Sequence, residues 1–172
     1  MAVTGLMAAV ICILGPMSIP IGIVPISLTM FAIYLSLYAV GMWRGAVSYL
    51  IYLLIGLVGL PVFSGYTSGP GKLFGPTGGY LLGFFFLALI AGYFIDRFET
   101  WYMSFLGMTL GIVVCYGFGT VWLAYKAGMS FQEALAAGVL PFIPADLVKI
   151  VLAVLIGPVI RKQLRRAGLF PA

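Results

Sequence analysis

PFIPADLVKIVLAVLIGPVI, residues 141–160, holds two charges, Asp146 and Lys149, in a run otherwise apolar enough to cross a bilayer. A charge near the middle of a membrane costs about 2.5–3.5 kcal/mol on insertion scales, so an ionisable residue there marks a candidate functional site. Spacing of i, i+3 puts both side chains on one helical face. Two arrangements fit: a self-neutralising structural pair, or two groups facing a ligand. Burying an ion pair loses hydration that mutual attraction does not reliably recover. A structural cap is also met at lower cost by Ser or Thr. Both considerations favour the ligand-facing arrangement. Pro is tolerated in a helix's first turn, so a helix opening at Pro144 sets Asp146 beside unpaired backbone N–H groups and the positive dipole end. Lys149 then lies about 4.5 Å deeper along the axis.

The rest of the chain fits a membrane protein. Of 172 residues, 63% are hydrophobic and 8% charged, with net charge +5 and a mean hydropathy of +1.20. Soluble domains carry about 25% charge. Apolar runs at about 2–19, 26–43, 46–63, 80–95, 100–124 and 143–160 predict an all-α integral membrane protein of six transmembrane helices, one domain over residues 1–172. The first run lacks a basic lead and a small-residue cleavage site, so a removed signal peptide is not expected.

Charge sets the orientation. With six spans, Arg44, Arg97, Arg161, Lys162, Arg165 and Arg166 fall on one side, Lys72 and Lys126 on the other. The positive-inside rule then predicts cytoplasmic N- and C-termini, with Trp43, Trp101 and Trp122 near the interfaces. Inner connections are short: Arg44-Gly45, then Asp96 to Glu99. The outer connections are Gly15 to Pro25 and the 16-residue stretch 64–79, which has six glycines, two prolines and one charge, Lys72. Loops of this length are usually functional lids or disordered, and Tyr66, Leu73 and Phe74 favour a packed lid over a flexible connector. That lid roofs a polar pocket opening outward around Asp146 and Lys149.

Several chemistries are excluded. With no histidine there is no Ser/His or Cys/His pair, no HExxH zinc site and no His-ligated haem. Cys12 and Cys115 lie in apolar runs with no disulfide or metal spacing. Asp146 has no second carboxylate within the spans to share acid–base work, so no catalytic residue is expected. Gly69-Pro70-Gly71-Lys72-Leu73 fails the phosphate-loop pattern, with Tyr at 66 and Leu at 73. Small-xxx-small pairs at Gly5/Ala9, Gly79/Gly83 and Gly107/Gly111 permit close helix contact. A pair on the first helix, if outside the bundle, suits docking of another membrane subunit.

GLPVFSGYTSGPGKLFGPTGGYLLGF (59–84), PADLVKI (144–150) and VPISLTMF (24–31) together resemble the BioY family. Its members are the biotin-binding S components of energy-coupling factor (ECF) transporters. The resemblance covers essentially the whole chain, and GPTGGY (75–80) is its most specific element. It implies a biotin pocket with Asp146 and Lys149 as ligand contacts and Thr77, Gly78, Gly79 and Tyr80 as the loop signature. Lys72 is added as a group for the ligand carboxylate, and Phe63, Tyr66 and Phe74 as apolar cover. Many relatives carry a glutamine at the place of Thr29, so a contact from the second helix is weakened here. Gly5 and Ala9 would dock a transmembrane coupling protein driven by two cytoplasmic ATPases, Gly5 standing where alanine is usual. The implied setting is the bacterial cytoplasmic membrane, with biotin as transported ligand, no cofactor, no metal and no nucleic acid. The competing readings are an S component for another vitamin, an intramembrane enzyme, and a non-transporting assembly protein with a structural Asp146–Lys149 pair.

Overall fold

Proline and glycine divide this apolar chain into helices of unequal length. The computed structural model describes residues 1–20, 22–98 and 100–168; Glu99 of the second inner connection lies outside them. Helix α1 (Ala2–Leu14) has 13 residues, about 20 Å at 1.5 Å per residue and short of a hydrocarbon core of about 30 Å. The chain then becomes extended. Strand β1 (Ser18–Ile19) pairs antiparallel with β2 (Ile26–Ser27), Ser18 opposite Ser27 and Ile19 opposite Ile26. The expected spans 2–19 and 26–43 are therefore cut back at their outer ends. Pro16, Pro20 and Pro25 cannot extend a helix, and the ribbon supplies backbone partners in its place. Leu28 N–H donates to Met17 O at 3.1 Å as part of the same structure.

Helix α2 (Thr29–Val58) contains a corner at Gly41, with φ 80° and ψ 176°. A Cβ on Gly45 would lie 3.3 Å from the Leu37 Cα, whereas eight residues of straight helix span about 12 Å. The chain therefore doubles back, and residues 29–40 and 42–58 are two arms. The sequence places this reversal at Arg44-Gly45; it occurs three residues earlier because the backbone there needs positive φ, which Gly41 supplies without strain. The lid follows with one helical turn, α3 (Pro70–Leu73). Then come α4 (Gly78–Arg97), α5 (Trp101–Ala127), α6 (Phe131–Gly138) and α7 (Ile143–Arg166). Among the described residues α4, α5 and α7 are each long and apolar enough to cross a membrane, and α2 reaches that length only with its two arms counted together.

Helix α6 was not anticipated, although Ser130-x-x-Glu133 is a capping-box pattern. Glu133 N–H donates to Ser130 Oγ at 3.3 Å, and Ser130 N–H donates to Glu133 Oε2 at 2.8 Å. The Ser130 backbone N–H, and then its hydroxyl, hold the Glu133 carboxyl below the usual carboxylate range.

Glycines bring α4 and α5 together. A Cβ on Gly79 would meet Trp122 Cβ at 2.2 Å, on Gly83 the Cys115 Cα at 3.0 Å, on Gly111 the Leu87 Cα at 3.3 Å and on Gly107 the Phe94 Cβ at 2.3 Å. Three buried hydroxyls donate to backbone carbonyls of neighbouring helices: Tyr49 to Leu81 O at 2.6 Å, Tyr34 to Met108 O at 3.2 Å and Ser48 to Thr4 O at 2.9 Å.

The two ends of the bundle are held differently. At one, the Asp96 carboxylate at the end of α4 accepts from Met42 N–H at 2.6 Å, just past the Gly41 corner, and pairs with Arg161 of α7. Arg161 also donates to Ile95 O at 2.7 Å. At the other, Gly65 N–H donates to Pro16 O at 3.1 Å, and Trp122 Nε1 donates to Gly75 O at 2.9 Å. The lid is thus tied to the first loop and to α5. The glycine packing has a direct test. Gly107→Ala should destabilise the detergent-solubilised protein by about 1–3 kcal/mol despite alanine's better helix propensity of about 1 kcal/mol. Gly5→Ala, where a Cβ meets open space, should leave the melting temperature level or raised. Equal melting temperatures for the two variants would contradict the close α4–α5 approach.

Candidate functional site

Asp146 stands in the first turn of α7, its N–H donating to Phe142 O at 2.8 Å. The helix begins at Ile143, one residue ahead of Pro144, so the proline ring occupies the first turn, where no N–H is needed. Lys149 follows on the same face, and its Nζ donates to Asp146 Oδ1 at 2.8 Å. Both residues are only 8% exposed. Tyr116 of α5 donates its hydroxyl to Asp146 Oδ2 at 2.6 Å. Each carboxylate oxygen therefore has one partner, and Lys149 keeps two further N–H donors. A carboxylate beside an ammonium presents an acceptor and a donor about 3 Å apart. That pair complements a ligand edge offering N–H next to C=O, as in a urea or amide.

Around this pair is a chamber enclosed by α2, α4, α5 and α7. Met30, Leu81, Phe84, Ile112, Cys115 and Phe142 form apolar walls, with Thr29, Thr77, Tyr80 and Tyr116 as polar points. Val24, Pro25, Ser27 and Ser64 line its loop side, and the cavity itself is about 60 Å³. That is smaller than the span of about 300–1,000 Å³ usual for small-molecule pockets, but the mixture of apolar wall and a few polar groups is the usual one.

The structure brings Asp146, Lys149, Thr77, Tyr80 and Thr29 to the chamber wall. Tyr80 is gripped between helices. A Cβ on Gly119 would sit 2.2 Å from its ring, and one on Gly138 would sit 2.1 Å from its Oη. That hydroxyl is buried near Thr120, with no hydrogen bond of ordinary length among the described residues. Thr29 reaches the wall, but its hydroxyl donates to Gly15 O at 3.4 Å and accepts from Ser27 Oγ at 3.0 Å, so its donor is already engaged in holding the first loop.

Six expected residues do not line the chamber. Gly78 and Gly79 are packing positions: a Cβ on Gly78 would lie 1.7 Å from Leu73 O, and Gly79 faces Trp122. Phe63 is fully buried beneath the lid, edge-on to Tyr52 with ring centroids 5.5 Å apart, in space that Gly56 leaves open. Tyr66 is 70% exposed and borders a separate outer groove with Pro16, Met17 and Ile19. Phe74 faces outward, and Lys72 is half-buried in α3, where burial lowers the pKa of its ammonium. Gly5 and Ala9 also stand apart from the chamber, both exposed on the side of α1 opposite its buried Thr4, Ala8 and Ile11. In the other direction, sequence reasoning missed Tyr116. Its signal was a phenol in the middle of an apolar span, where an O–H must find an internal partner.

Helices that cross a membrane around an enclosed donor–acceptor pair define a multi-pass membrane protein with an internal small-molecule site. The model of the BioY family matches residues 1–166, and the chain belongs to that family. It is 36% identical over 160 residues to the biotin transporter BioY of Thermotoga maritima, covering 92% of this chain and 93% of that one. It is 37% identical over 169 residues to the biotin transporter BioY of Rhizobium etli, covering 91% and 90%. Its fold matches the crystal structure of an S-component for biotin from an ECF-type ABC transporter with a TM-score of 0.86 at 30% identity, covering 94% of this chain and 89% of that one.

Pairing at the chamber wall is testable without ligand. Asp146→Asn strands a buried ammonium and should lower stability by about 3–5 kcal/mol. Adding Lys149→Met to that variant should recover most of the loss in detergent thermal melts. A single variant as stable as the parent would show that the two charges are not coupled.

Proposed function

We propose that this chain is the S component that captures biotin for an ECF-type uptake system, and that it performs no covalent chemistry. The carrying observation is the acceptor–donor pair of Asp146 and Lys149, 2.8 Å apart, in a chamber otherwise walled by apolar side chains. Biotin's ureido ring offers an N–H beside a carbonyl oxygen. Asp146 accepts from the N–H and Lys149 donates to the oxygen, two charge-assisted bonds. Tyr116 fixes the second carboxylate oxygen, which holds the acceptor in register. Tyr80 Oη and Thr77 supply further polar contacts, while Phe84, Ile112 and Phe142 take the apolar ring and chain.

The lid carries the remaining roles. Lys72 attracts the ligand's carboxylate at the mouth, and Tyr66 and Phe74 swing over it on closure. Phe63, Gly78 and Gly79 support the lid from beneath. The fold is read as one six-span domain: α1, the two arms of α2, α4, α5 and α7. The excess of positive charge at the end bearing Arg44, Arg97 and the Arg161–Arg166 cluster supports a cytoplasmic position for that end. Both termini then lie inside and the chamber opens outward, in the cytoplasmic membrane of a bacterial cell. The outward Gly5/Ala9 face of α1 docks a transmembrane coupling protein, and two cytoplasmic ATPases drive the reorientation that releases biotin inside.

Calorimetry with the purified protein in detergent tests this reading. Biotin should bind one to one, and riboflavin and thiamine should neither bind nor compete. Loss of one charge-assisted bond is worth about 1.5–3 kcal/mol, so Lys149→Ala and Tyr116→Phe should weaken binding by about 10- to 100-fold. A monodisperse, folded sample that gives no heat with biotin would refute the assignment.

A further inference from the structure

A second crevice lies at the end of the bundle where Asp96 meets Arg161, far from the chamber. It is bounded by Tyr38 of α2, Trp101 and Ser104 of α5, and Pro158, Arg161, Lys162, Arg165 and Arg166 of α7. Tyr38 is 3% exposed, its ring pressed on Gly157, and its hydroxyl lies near Ser104 with no hydrogen bond of ordinary length among the described residues. A buried O–H at the base and cations around the mouth call for an oxyanion. Asp96 neutralises one rim cation, Arg161, and also accepts from the Met42 N–H, while Lys162 and Arg166 stay exposed beside it.

The surroundings identify the source of that anion. Leu155, Pro158, Lys162 and Arg165 follow one another at helical spacing of three and four, so one stripe of α7 passes from apolar to basic. Leu155 and Val159 are exposed above the crevice, and Trp101, 70% exposed, stands beside it as an interfacial aromatic. A headgroup held at the basic end would lay its acyl chains along the apolar end. We propose that this crevice binds the phosphate headgroup of an anionic phospholipid, with Tyr38 Oη donating from the base and Lys162 and Arg166 closing on the phosphate. The inference rests on the multi-pass membrane reading and is independent of the ligand in the chamber.

Native mass spectrometry of the full chain in neutral detergent provides the test, with phosphatidylglycerol and phosphatidylcholine of identical acyl chains. The parent should retain one phosphatidylglycerol under activation that strips phosphatidylcholine. Each basic residue near a membrane surface is worth about fivefold, so Lys162→Ala with Arg166→Ala should reduce retention by about 25-fold. Tyr38→Phe, which keeps the ring and removes only the O–H, should reduce it by about tenfold. Lys126→Ala at the opposite end should have no effect, and the helical circular dichroism and melting temperature of each variant report intact folding. Equal retention of the two lipids would overturn the proposal, as would phosphatidylglycerol retention unchanged in the folded double variant. Displacement of the lipid by millimolar glycerol phosphate would reassign the site to a soluble phosphate ester and also overturn it.

Discussion

A carboxylate enclosed by an apolar bundle must be neutralised by its neighbours, and the chamber is organised around meeting that demand at Asp146. Lys149 takes one oxygen from within the same helix and Tyr116 takes the other from α5. The helix start at Ile143 adds the positive end of its dipole. These partners come from local spacing and from one tertiary contact, so α5 and α7 have to meet at this level. That meeting fixes where Phe142, Ile112 and Cys115 stand, and hence the shape of the wall.

Glycine permits what the ion pair requires. The α4–α5 approach depends on Gly79, Gly83, Gly107 and Gly111, each facing backbone or a side-chain root of the opposite helix. Tyr80 follows from the same economy of volume, since its ring enters the chamber wall only because Gly119 and Gly138 lack side chains. The chain belongs to the BioY family over residues 1–166, and its chamber sets a carboxylate acceptor beside an ammonium donor.

Much of this was legible in the sequence, for physical reasons that also explain what was not. Asp146 and Lys149 stood out because charge in an apolar run is costly and their spacing shares a face. The apolar runs gave the approximate spans, since hydropathy averages over many residues. What escaped depends on tertiary distance. Phe63 and Phe74 have the composition of ligand cover, yet one fills the gap at Gly56 and the other faces outward, a distinction made by the fold of the lid. Gly78 and Gly79 belong to the recognisable GPTGGY stretch because Trp122 and Leu73 need their missing side chains. Tyr116 is one of ten tyrosines, and only the packing of α5 on α7 selects it. The Gly41 corner was misplaced by three residues because Arg44-Gly45 has the more polar composition, while the backbone reverses where positive φ is available.

Asp96 joins three segments that are remote in the chain: the start of the second arm at Met42, the end of α4, and Arg161 near the end of α7. Among the described residues the opposite end is tied differently: there the ribbon, the lid and α5 are linked by hydrogen bonds between neutral groups. Rearrangement is therefore easiest at the chamber's mouth, with the Asp96 carboxylate as fulcrum and the helices as levers. Under the proposed function, cargo would pass through the loosely tied end while the charged knot keeps the opposite end fixed.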